Sequence, residues 1–397
     1  MLAYDKTLLL NIAIVKKAKY WYANKLISNQ QMVSILNDFK TEYYKPNLFV
    51  KIGLFLFCIF IVLATLGLIT LVFSPFFQYS NSDIIPVVIC VVMFAGCIAA
   101  AELLIRAKSL YKTGITEALV YSAVCFLFSI FAFSFNDQNE EQFFLNIFLI
   151  MLPVLLYGIA RYADRVLTIA FVFCFFTVYF LLLLKLGEIA KLIMPFALMA
   201  LSAGLYFFTK IEYKKSAMFY YKQCIKTAQF LSLIIFYVAG NYFVIRESSV
   251  EMFNLHLQPG ENIPLAFLFY LFTALVPLVY LFYGLRIKDK LHIWTALLLI
   301  AVSALTFKYY FSLGHPEVSL TIAGLVLTFL AYLSIRYLKT DKHGITFKEE
   351  QDEDNFLKTN AEALAIAQGF VSQQQVQQQQ TQFGGGDFGG AGSGSKF

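Results

Sequence analysis

Long apolar runs separated by short polar connectors dominate the chain from residue 49 onward. Each run is long enough to cross roughly 30 Å of hydrocarbon as a helix. The pattern predicts an all-α fold, a polytopic transmembrane helix bundle with ten spans. We place these spans at residues 50–73, 84–105, 116–135, 143–160, 166–184, 190–209, 227–245, 264–285, 291–311 and 318–338.

The fifth and sixth predicted spans could instead form a re-entrant hairpin. Their connector, Lys185–Lys191, holds two lysines on the side where few basic residues are expected. A re-entrant hairpin there would reduce the count to eight spans and leave both termini on the same side. Pro153, Pro195 and Pro277 fall within predicted spans, and each predicts a kink because proline removes a backbone donor.

Residues 1–48 are too polar to span and predict a cytoplasmic helical segment. Ser28 and Gln31 have the spacing of a capping box, which predicts a helix start. The apolar residues that follow at helical spacing are Met32, Val33, Leu36, Phe39 and Tyr43. Leu8, Ile12, Val15 and Lys19 indicate an earlier helix. This helix pair is interpreted either as a docking module or, as we favour, as a pair lying against the membrane or the bundle.

The composition changes after the last predicted span. Lys339–Lys358 is highly charged, and Asn360–Val371 has the pattern of one short helix. The glutamine-rich and glycine-rich stretches beyond it contain too little apolar surface to offset the entropy of ordering. The sequence therefore predicts three regions, namely the helical segment 1–48, the bundle 49–338 and a flexible cytoplasmic tail 339–397.

Composition supports an integral membrane protein. Hydrophobic residues make up 59% of the chain, charged residues 14%, and the mean hydropathy is +0.68. Soluble domains have about a quarter of their residues charged. The net charge of +6 does not indicate a nucleic-acid partner, because the basic residues lie at the edges of the predicted spans.

Basic residues are distributed unevenly between alternate connectors. One set of connectors carries Arg106, Lys108, Lys112, Arg161, Arg165, Lys210, Lys214, Lys215, Lys222, Lys226, Arg286, Lys288 and Lys290, and the other carries Lys185, Lys191, Arg246 and Lys308. The first set holds thirteen basic residues and the second set four. By the positive-inside rule, this difference predicts a multi-pass protein of the plasma (inner) membrane with both termini cytoplasmic. The most basic connector is Lys210–Lys226, and its lysines are also expected to attract anionic lipid. No cleavable signal peptide is expected.

The central half of every predicted span lacks Asp, Glu, Lys, Arg and His. Proton-coupled transporters and intramembrane hydrolases usually bury such groups, so both classes are disfavoured. Glu102 and Arg106, four residues apart, predict an ion pair near a span end. Asn146 and Asn241 fall inside predicted spans, where we expect them to hydrogen-bond between helices; a substrate site is the alternative.

No catalytic, cofactor or metal site is predicted, and we do not expect an enzyme. His256, His292, His315 and His343 lie on different connectors, without a metalloprotease or nucleotide-binding motif. The six cysteines contain no Cys-x-x-Cys pair; they are Cys58, Cys90, Cys97, Cys125, Cys174 and Cys224. Glu247, Glu251, His256 and Glu261 share the connector Arg246–Ile263, which we interpret as a solvated loop rather than a metal site.

Two stretches resemble known sequences. The stretch KYWYANKLISNQQMVSIL, with the linker and first span after it, resembles the start of uncharacterised bacterial multi-pass membrane proteins. The closing stretch KYYFSLGHPEVSLTIAGLVLTFLAYLSIRYLK, with the tail FGGGDFGGAGSGS, is similar to bacterial membrane proteins with a glycine-rich carboxyl terminus. A comparable tail occurs on TPM-domain proteins, whose folded domain is absent here. The resemblance implies the fold class and no activity.

Two functional hypotheses follow from the sequence. The first is a non-enzymatic membrane scaffold or assembly factor, with protein partners bound through the N-terminal helices and the C-terminal tail. The second is a transporter or lipid-handling protein for a neutral or amphipathic substrate, favoured by kinked spans with polar but uncharged interior groups.

Overall fold

The computed structural model describes residues 2–23, 25–40, 46–79, 84–108, 110–135, 139–253, 263 and 265–310, and seven single residues between 321 and 336. These residues form twelve α-helices, one 3₁₀ helix and no strand. The α-helices are α1 Lys6–Ala23, α2 Asn29–Asp38, α3 Leu48–Tyr79, α4 Ile84–Lys108, α5 Ile115–Ser134, α6 Glu140–Tyr162, α7 Arg165–Leu184, α8 Glu188–Tyr213, α9 Lys222–Gly240, α10 Tyr242–Phe253, α11 Ala266–Ile287 and α12 Lys290–Tyr310. The predicted all-α fold class is confirmed.

Within this described part of the chain, nine helices are long and apolar enough to cross a membrane. They are α3 to α9, α11 and α12, with α9 counted together with the 3₁₀ helix Ser216–Tyr221 that precedes it. These nine correspond to the first nine predicted spans. Most of the tenth predicted span and the whole tail 339–397 lie outside the described residues.

The two spans for which a re-entrant hairpin was the alternative are both full-length helices. α7 has 20 residues and α8 has 26, and only Lys185–Gly187 separates them. Both have the length and hydropathy of a spanning helix. The helices α3, α6, α8 and α11 continue through Pro75, Pro153, Pro195 and Pro277 respectively.

The chain divides into two compact units, and the division falls within α5 between Leu127 and Phe128. In the first unit α1 packs against α2, as the predicted helix pair, and the Asn11 amide donates to the Lys40 carbonyl at 3.1 Å. The capping box at Ser28 and Gln31 is confirmed. The apolar face predicted on α2 is only partly covered, because Met32 is buried while Val33 and Leu36 are exposed.

The start of α3 meets the start of α5 in the same unit. Lys51 Nζ donates to Glu117 Oε1 at 2.6 Å, and Glu117 Oε2 accepts from the Gly114 amide at 2.7 Å. Gly114 has φ +100°, and a Cβ at this position would overlap the Lys51 carbonyl oxygen. Glycine is therefore required where α3 and the α4–α5 connector approach each other.

The second unit is built from three helical hairpins, α6–α7, α8–α9 and α11–α12. Asp164 begins α7 because its carboxylate accepts from the amides of Val166 and Leu167, at 2.8 and 3.1 Å. The α11–α12 hairpin is tight at Gly284, where an added Cβ would lie 2.9 Å from His292 Cβ. These hairpins place the ends of α8, α9, α11 and α12 beside one another.

The predicted seventh span, 227–245, has a wrong boundary. α9 ends at Gly240, Asn241 has extended backbone angles, and α10 begins at Tyr242. The Asn241 side chain accepts hydrogen bonds from the amides of Phe243 and Val244, so it starts a new helix inside an uninterrupted apolar run. The first part of the connector predicted as a loop, up to Phe253, is thus helical.

Candidate functional site

Polar side chains of the second unit gather in two places. The first, here called the basic cluster, comprises Lys210, Lys214, Lys215, Lys222 and Lys226 at the α8–α9 connection. The second, here called the Asn241 network, lies among α9, α10, α11 and α12 and comprises Tyr237, Asn241, Thr273, Ser303 and Thr306.

Three lysines of the basic cluster, Lys210, Lys222 and Lys226, lie on helical backbone, so the expectation that Lys210–Lys226 is a loop was wrong. α8 runs to Tyr213, the 3₁₀ helix covers Ser216–Tyr221, and α9 begins at Lys222. Only Lys214 and Lys215 lie between these helices. The helices place Lys210, Lys222 and Lys226 beside aromatic rings.

Three of the five lysines contact aromatic rings. Lys210 Nζ donates to the Tyr283 hydroxyl at 2.7 Å and lies 5.6 Å from the centre of the Tyr206 ring. Lys222 and Lys226 lie over Tyr213, at 5.3 and 5.2 Å from its ring centre. Cations are attracted to ring faces at such distances. The lysines therefore bind α8, α9 and α11 together, in addition to any role in orientation.

An Asp–His–Tyr chain lies beside Lys210. His292 Nδ1 is 2.6 Å from Asp289 Oδ2, and His292 Nε2 is 2.9 Å from the Tyr206 hydroxyl. Burial raises the pKa of Asp289, but hydrogen bonds from His292 and from the Leu291 amide outweigh it and leave that pKa below its ordinary value of 3.8. His292 of α12 is 4% exposed, and its imidazole is held between the Asp289 carboxylate and the Tyr206 hydroxyl of α8.

A histidine held by a carboxylate can activate a hydroxyl in enzymes. In this chain, however, the hydroxyl belongs to Tyr206, whose ring also packs edge-on against His292 with 5.6 Å between ring centres. Each member of the chain thus bonds to another member, and the arrangement clamps α8 to the start of α12. Sequence reasoning treated His292 as one of four scattered histidines. The signal it overlooked is the Asp289 and His292 spacing of three at a helix start, which puts both on one face.

Asn241 is the centre of the second site and is 1% exposed. Its Nδ2 donates to the Tyr237 hydroxyl at 3.0 Å and to Thr306 Oγ1 at 3.2 Å. Its Oδ1 accepts from the amides of Phe243 and Val244, at 3.0 and 3.4 Å. An asparagine side chain offers two donors and two acceptor lone pairs, so the capacity of this amide is filled by the protein.

The network continues to α11 and α12. Thr273 Oγ1 accepts from the Tyr242 amide at 3.0 Å, and the Ser303 hydroxyl donates to the Thr273 carbonyl at 2.9 Å. The predicted role of Asn241 in bonding between helices is confirmed by its contact with Thr306. The Asn146 Oδ1 accepts a hydrogen bond from Gln142 of the same helix, at 3.0 Å.

A third polar contact lies on α10. Tyr310 donates its hydroxyl hydrogen to Glu247 Oε1 at 2.7 Å, and the Arg246 guanidinium lies 5.0 Å from the Tyr310 ring centre. The hydrogen bond with Tyr310 raises the pKa of Arg246. Tyr242 stacks on Tyr270 with 3.9 Å between ring centres. These contacts fix α10 against α11 and α12.

The remaining predicted chemistry is simple. Arg106 and Glu102 form the predicted ion pair, at 3.9 Å. None of the six cysteines forms a disulfide, and the described residues contain no group of three or more His, Cys, Asp or Glu side chains that could hold a metal. His256, His315, His343 and Glu261 lie outside the described residues.

No known protein family, curated protein or solved structure matches the chain at a significant level. The class of protein therefore comes from the fold itself. With nine long apolar helices in its described part, the chain is a polytopic α-helical integral membrane protein.

Proposed function

We propose that the protein is a non-enzymatic membrane scaffold or interaction factor. The observation that carries the proposal is the filled hydrogen-bonding capacity of Asn241, the most deeply buried side-chain amide among the described residues of the second unit. A transporter that used this amide for a substrate would have to break bonds that the protein already makes. Each buried group left without a partner would cost about 1–3 kcal/mol.

The same network supports a rigid body that presents surfaces to partners. It joins α9, α10, α11 and α12 at one end, while the basic cluster and the His292 clamp join α8, α9, α11 and α12 at the other. Between these helices, Ser216 and Ala217 are exposed on the 3₁₀ helix. A rigid bundle with an exposed polar connection is suited to holding a protein partner.

Photocrosslinking in intact membranes tests the scaffold. A photoreactive phenylalanine analogue is placed at Ser216 or at Ala217, and a matched control carries it at Phe173, which is 63% exposed within the span α7. We expect discrete protein adducts from the first two positions and lipid adducts from the control. Lipid adducts alone at all three positions would contradict the scaffold role.

A second candidate function, lipid handling, is favoured by an apolar cleft between α3 and α4. The cleft has a volume of about 390 Å³ and is lined by Ile69, Phe73, Ile84, Ile85, Val88, Ile89 and Val92. All of these side chains are hydrocarbon, so the chemistry of the cleft fits an acyl chain. Its location between two spanning helices gives direct access from the bilayer.

Lipid exchange in proteoliposomes tests this second candidate. Val88→Trp fills the cleft, whereas Val91→Trp adds the same bulk on α4 outside the lining. If the protein handles lipid, transfer of a fluorescent phospholipid between leaflets falls with Val88→Trp and is retained with Val91→Trp. Equal rates with and without the protein would exclude the activity in this assay.

A further inference from the structure

The C-terminal half of α1 combines basic and aromatic side chains. The helix carries Lys6, Lys16, Lys17 and Lys19 and no acidic residue. Lys16 and Lys19 are exposed, and Tyr20 and Tyr22 are 45% and 46% exposed. Lys17 Nζ lies 5.7 Å from the Trp21 ring centre, so the indole and the ammonium group share one surface.

The turn after α1 extends this surface. Lys25 is exposed there, and Leu26 is 56% exposed next to it. Residues 2–40 contain six lysines, against Asp5 and Asp38 as the acids, which gives a net charge of +4. Lysines interleaved with aromatic and aliphatic side chains are typical of segments that lie in the headgroup layer of an anionic bilayer.

Contacts within the first unit place this segment at a membrane edge. Tyr4 is buried and packs edge-on against Tyr111 of the α4–α5 connector, with 5.0 Å between ring centres. The same connector approaches the start of α3 through Gly114 and Lys51. Two long apolar helices, α3 and α4, begin or end there. The helix pair is therefore attached where spanning helices enter the bilayer.

We propose that residues 16–23 of α1, together with Lys25 and Leu26 of the turn that follows, dock on the anionic headgroups of the protein's own membrane. The lysines pair with lipid phosphates, while Tyr20, Trp21, Tyr22 and Leu26 enter the interfacial layer. This inference is independent of the scaffold role, because it concerns a lipid surface and a different unit of the chain.

The membrane is a better occupant than a protein partner for two reasons. The contact of Tyr4 with Tyr111 places the segment next to the ends of spanning helices, so the local concentration of headgroups is high. The surface also carries excess positive charge, with no acidic residue between Lys6 and Lys25 to select a complementary protein. Anionic lipid headgroups neutralise this positive charge and do not require a specific binding geometry.

The fluorescence of Trp21 can be used to measure this docking. The chain has two tryptophans, and Trp294 is 70% exposed on α12, so Trp294→Phe leaves Trp21 as the single fluorophore at little structural cost. The full-length variant is reconstituted into nanodiscs of phosphatidylcholine, with or without about one third phosphatidylglycerol. We expect a blue-shifted Trp21 emission, and about twofold stronger quenching by lipids brominated on their acyl chains, only in the anionic discs.

Matched charge variants separate this docking from a general loss of charge. In the Trp294→Phe background, Lys16, Lys17 and Lys19 are changed to Gln, and the control changes Lys214, Lys215 and Lys290 to Gln. The first variant should lose the response to anionic lipid and the control should keep it. The proposal is overturned if Trp21 responds equally in neutral and anionic discs, or if its emission shifts only when soluble cell protein is added.

Discussion

Asp289 Oδ2 lies 2.6 Å from Nδ1 of the buried His292, and this contact turns the other ring nitrogen toward Tyr206, 86 residues earlier in the chain. Because an ionised carboxylate only accepts hydrogen bonds, Nδ1 carries the hydrogen and, in the neutral ring, Nε2 accepts from the tyrosine. One carboxylate at a helix start thereby sets the contact between two spanning helices.

Asp289→Asn should destabilise the protein in a pH-dependent way. The pKa of Asp289 is lowered in the folded state, so its contribution to stability is full above the ordinary value of 3.8 and is lost as pH falls through the lower folded-state pKa. We expect Asp289→Asn to lower the free energy of unfolding by about 1 kcal/mol at pH 7, a small loss because the side chain is 36% exposed, and by less at pH 3, which lies below the ordinary pKa of 3.8. Unfolding in detergent at both pH values measures the difference.

Glu212→Gln is the control for this variant, because it removes another carboxylate, one that pairs with the exposed Lys215. It should change the free energy of unfolding by less than about 0.5 kcal/mol. The same loss for Asp289→Asn at pH 7 and pH 3 would mean that the carboxylate's charge does not stabilise the clamp.

Asn241→Ala should be among the most destabilising single changes in the second unit. It removes one hydrogen-bond partner from each of the Tyr237 and Thr306 hydroxyls and the side-chain acceptor of two backbone amides, at a cost of about 3 kcal/mol. Asn139→Ala is the control, since this exposed asparagine precedes α6 without a side-chain hydrogen bond to the helix start, and we expect a loss of about 0.5 kcal/mol or less. Similar losses for the two variants would refute the structural role of the network.

Gly284→Ala should push α11 and α12 apart. The new Cβ would lie 2.9 Å from His292 Cβ and 3.0 Å from the Ile293 amide nitrogen. Overpacking of this kind costs about 1–3 kcal/mol. Gly204→Ala is the matched control on α8, where nothing lies within 4 Å of the added Cβ, and it should be neutral or slightly stabilising. Thermal unfolding of both variants in the same detergent compares them directly.

Glu117→Ala should weaken the first unit more than Glu102→Ala. Glu117 is 10% exposed, pairs with the partly exposed Lys51 and accepts from the amide of the buried Gly114, so its removal leaves that amide without this acceptor, at a cost of about 2 kcal/mol. Glu102 forms a longer and more exposed pair with Arg106 within one helix, worth about 0.3 kcal/mol. Chemical unfolding curves for the two variants would rank the two pairs, and the reverse order would contradict this account.

The predicted orientation can be measured with single cysteines in a cysteine-free background. Ala217→Cys reports on the α8–α9 connection, and Val250→Cys reports on α10 at the other end of α9; both positions are exposed. If the termini are cytoplasmic, an impermeant thiol reagent labels Val250→Cys in intact cells and reaches Ala217→Cys only after permeabilisation. The opposite pattern would invert the whole topology.

Hydropathy and length were sufficient to predict the spanning helices. The apolar runs that became α3 to α9, α11 and α12 are each bounded by charged or turn-forming residues, so their existence followed directly from the sequence. The capping box at Ser28 and the ion pair of Glu102 with Arg106 were also predictable, because both depend on spacing within one helix.

Contacts between helices were harder to predict. The break at Asn241 lies in a continuous apolar run, and its only local signal is the Gly240-Asn241 pair, a common helix end. His292 and Tyr206 meet because two hairpins pack side by side, which no spacing along the chain reveals. The basic stretch after Lys210 was predicted as a loop because it separates two apolar runs, yet most of it is helical and two of its lysines lie over the Tyr213 ring.

Thr273 fixes the rotation of α11 about its long axis. That helix is apolar around nearly its whole circumference, so burial in lipid or protein leaves its rotation about the long axis almost undetermined. The Thr273 hydroxyl reaches the Tyr242 amide in only one rotational setting, and its carbonyl receives the Ser303 hydroxyl in the same setting. Two hydrogen bonds thus fix a rotation that the eighteen hydrophobic residues of this 22-residue helix could not fix.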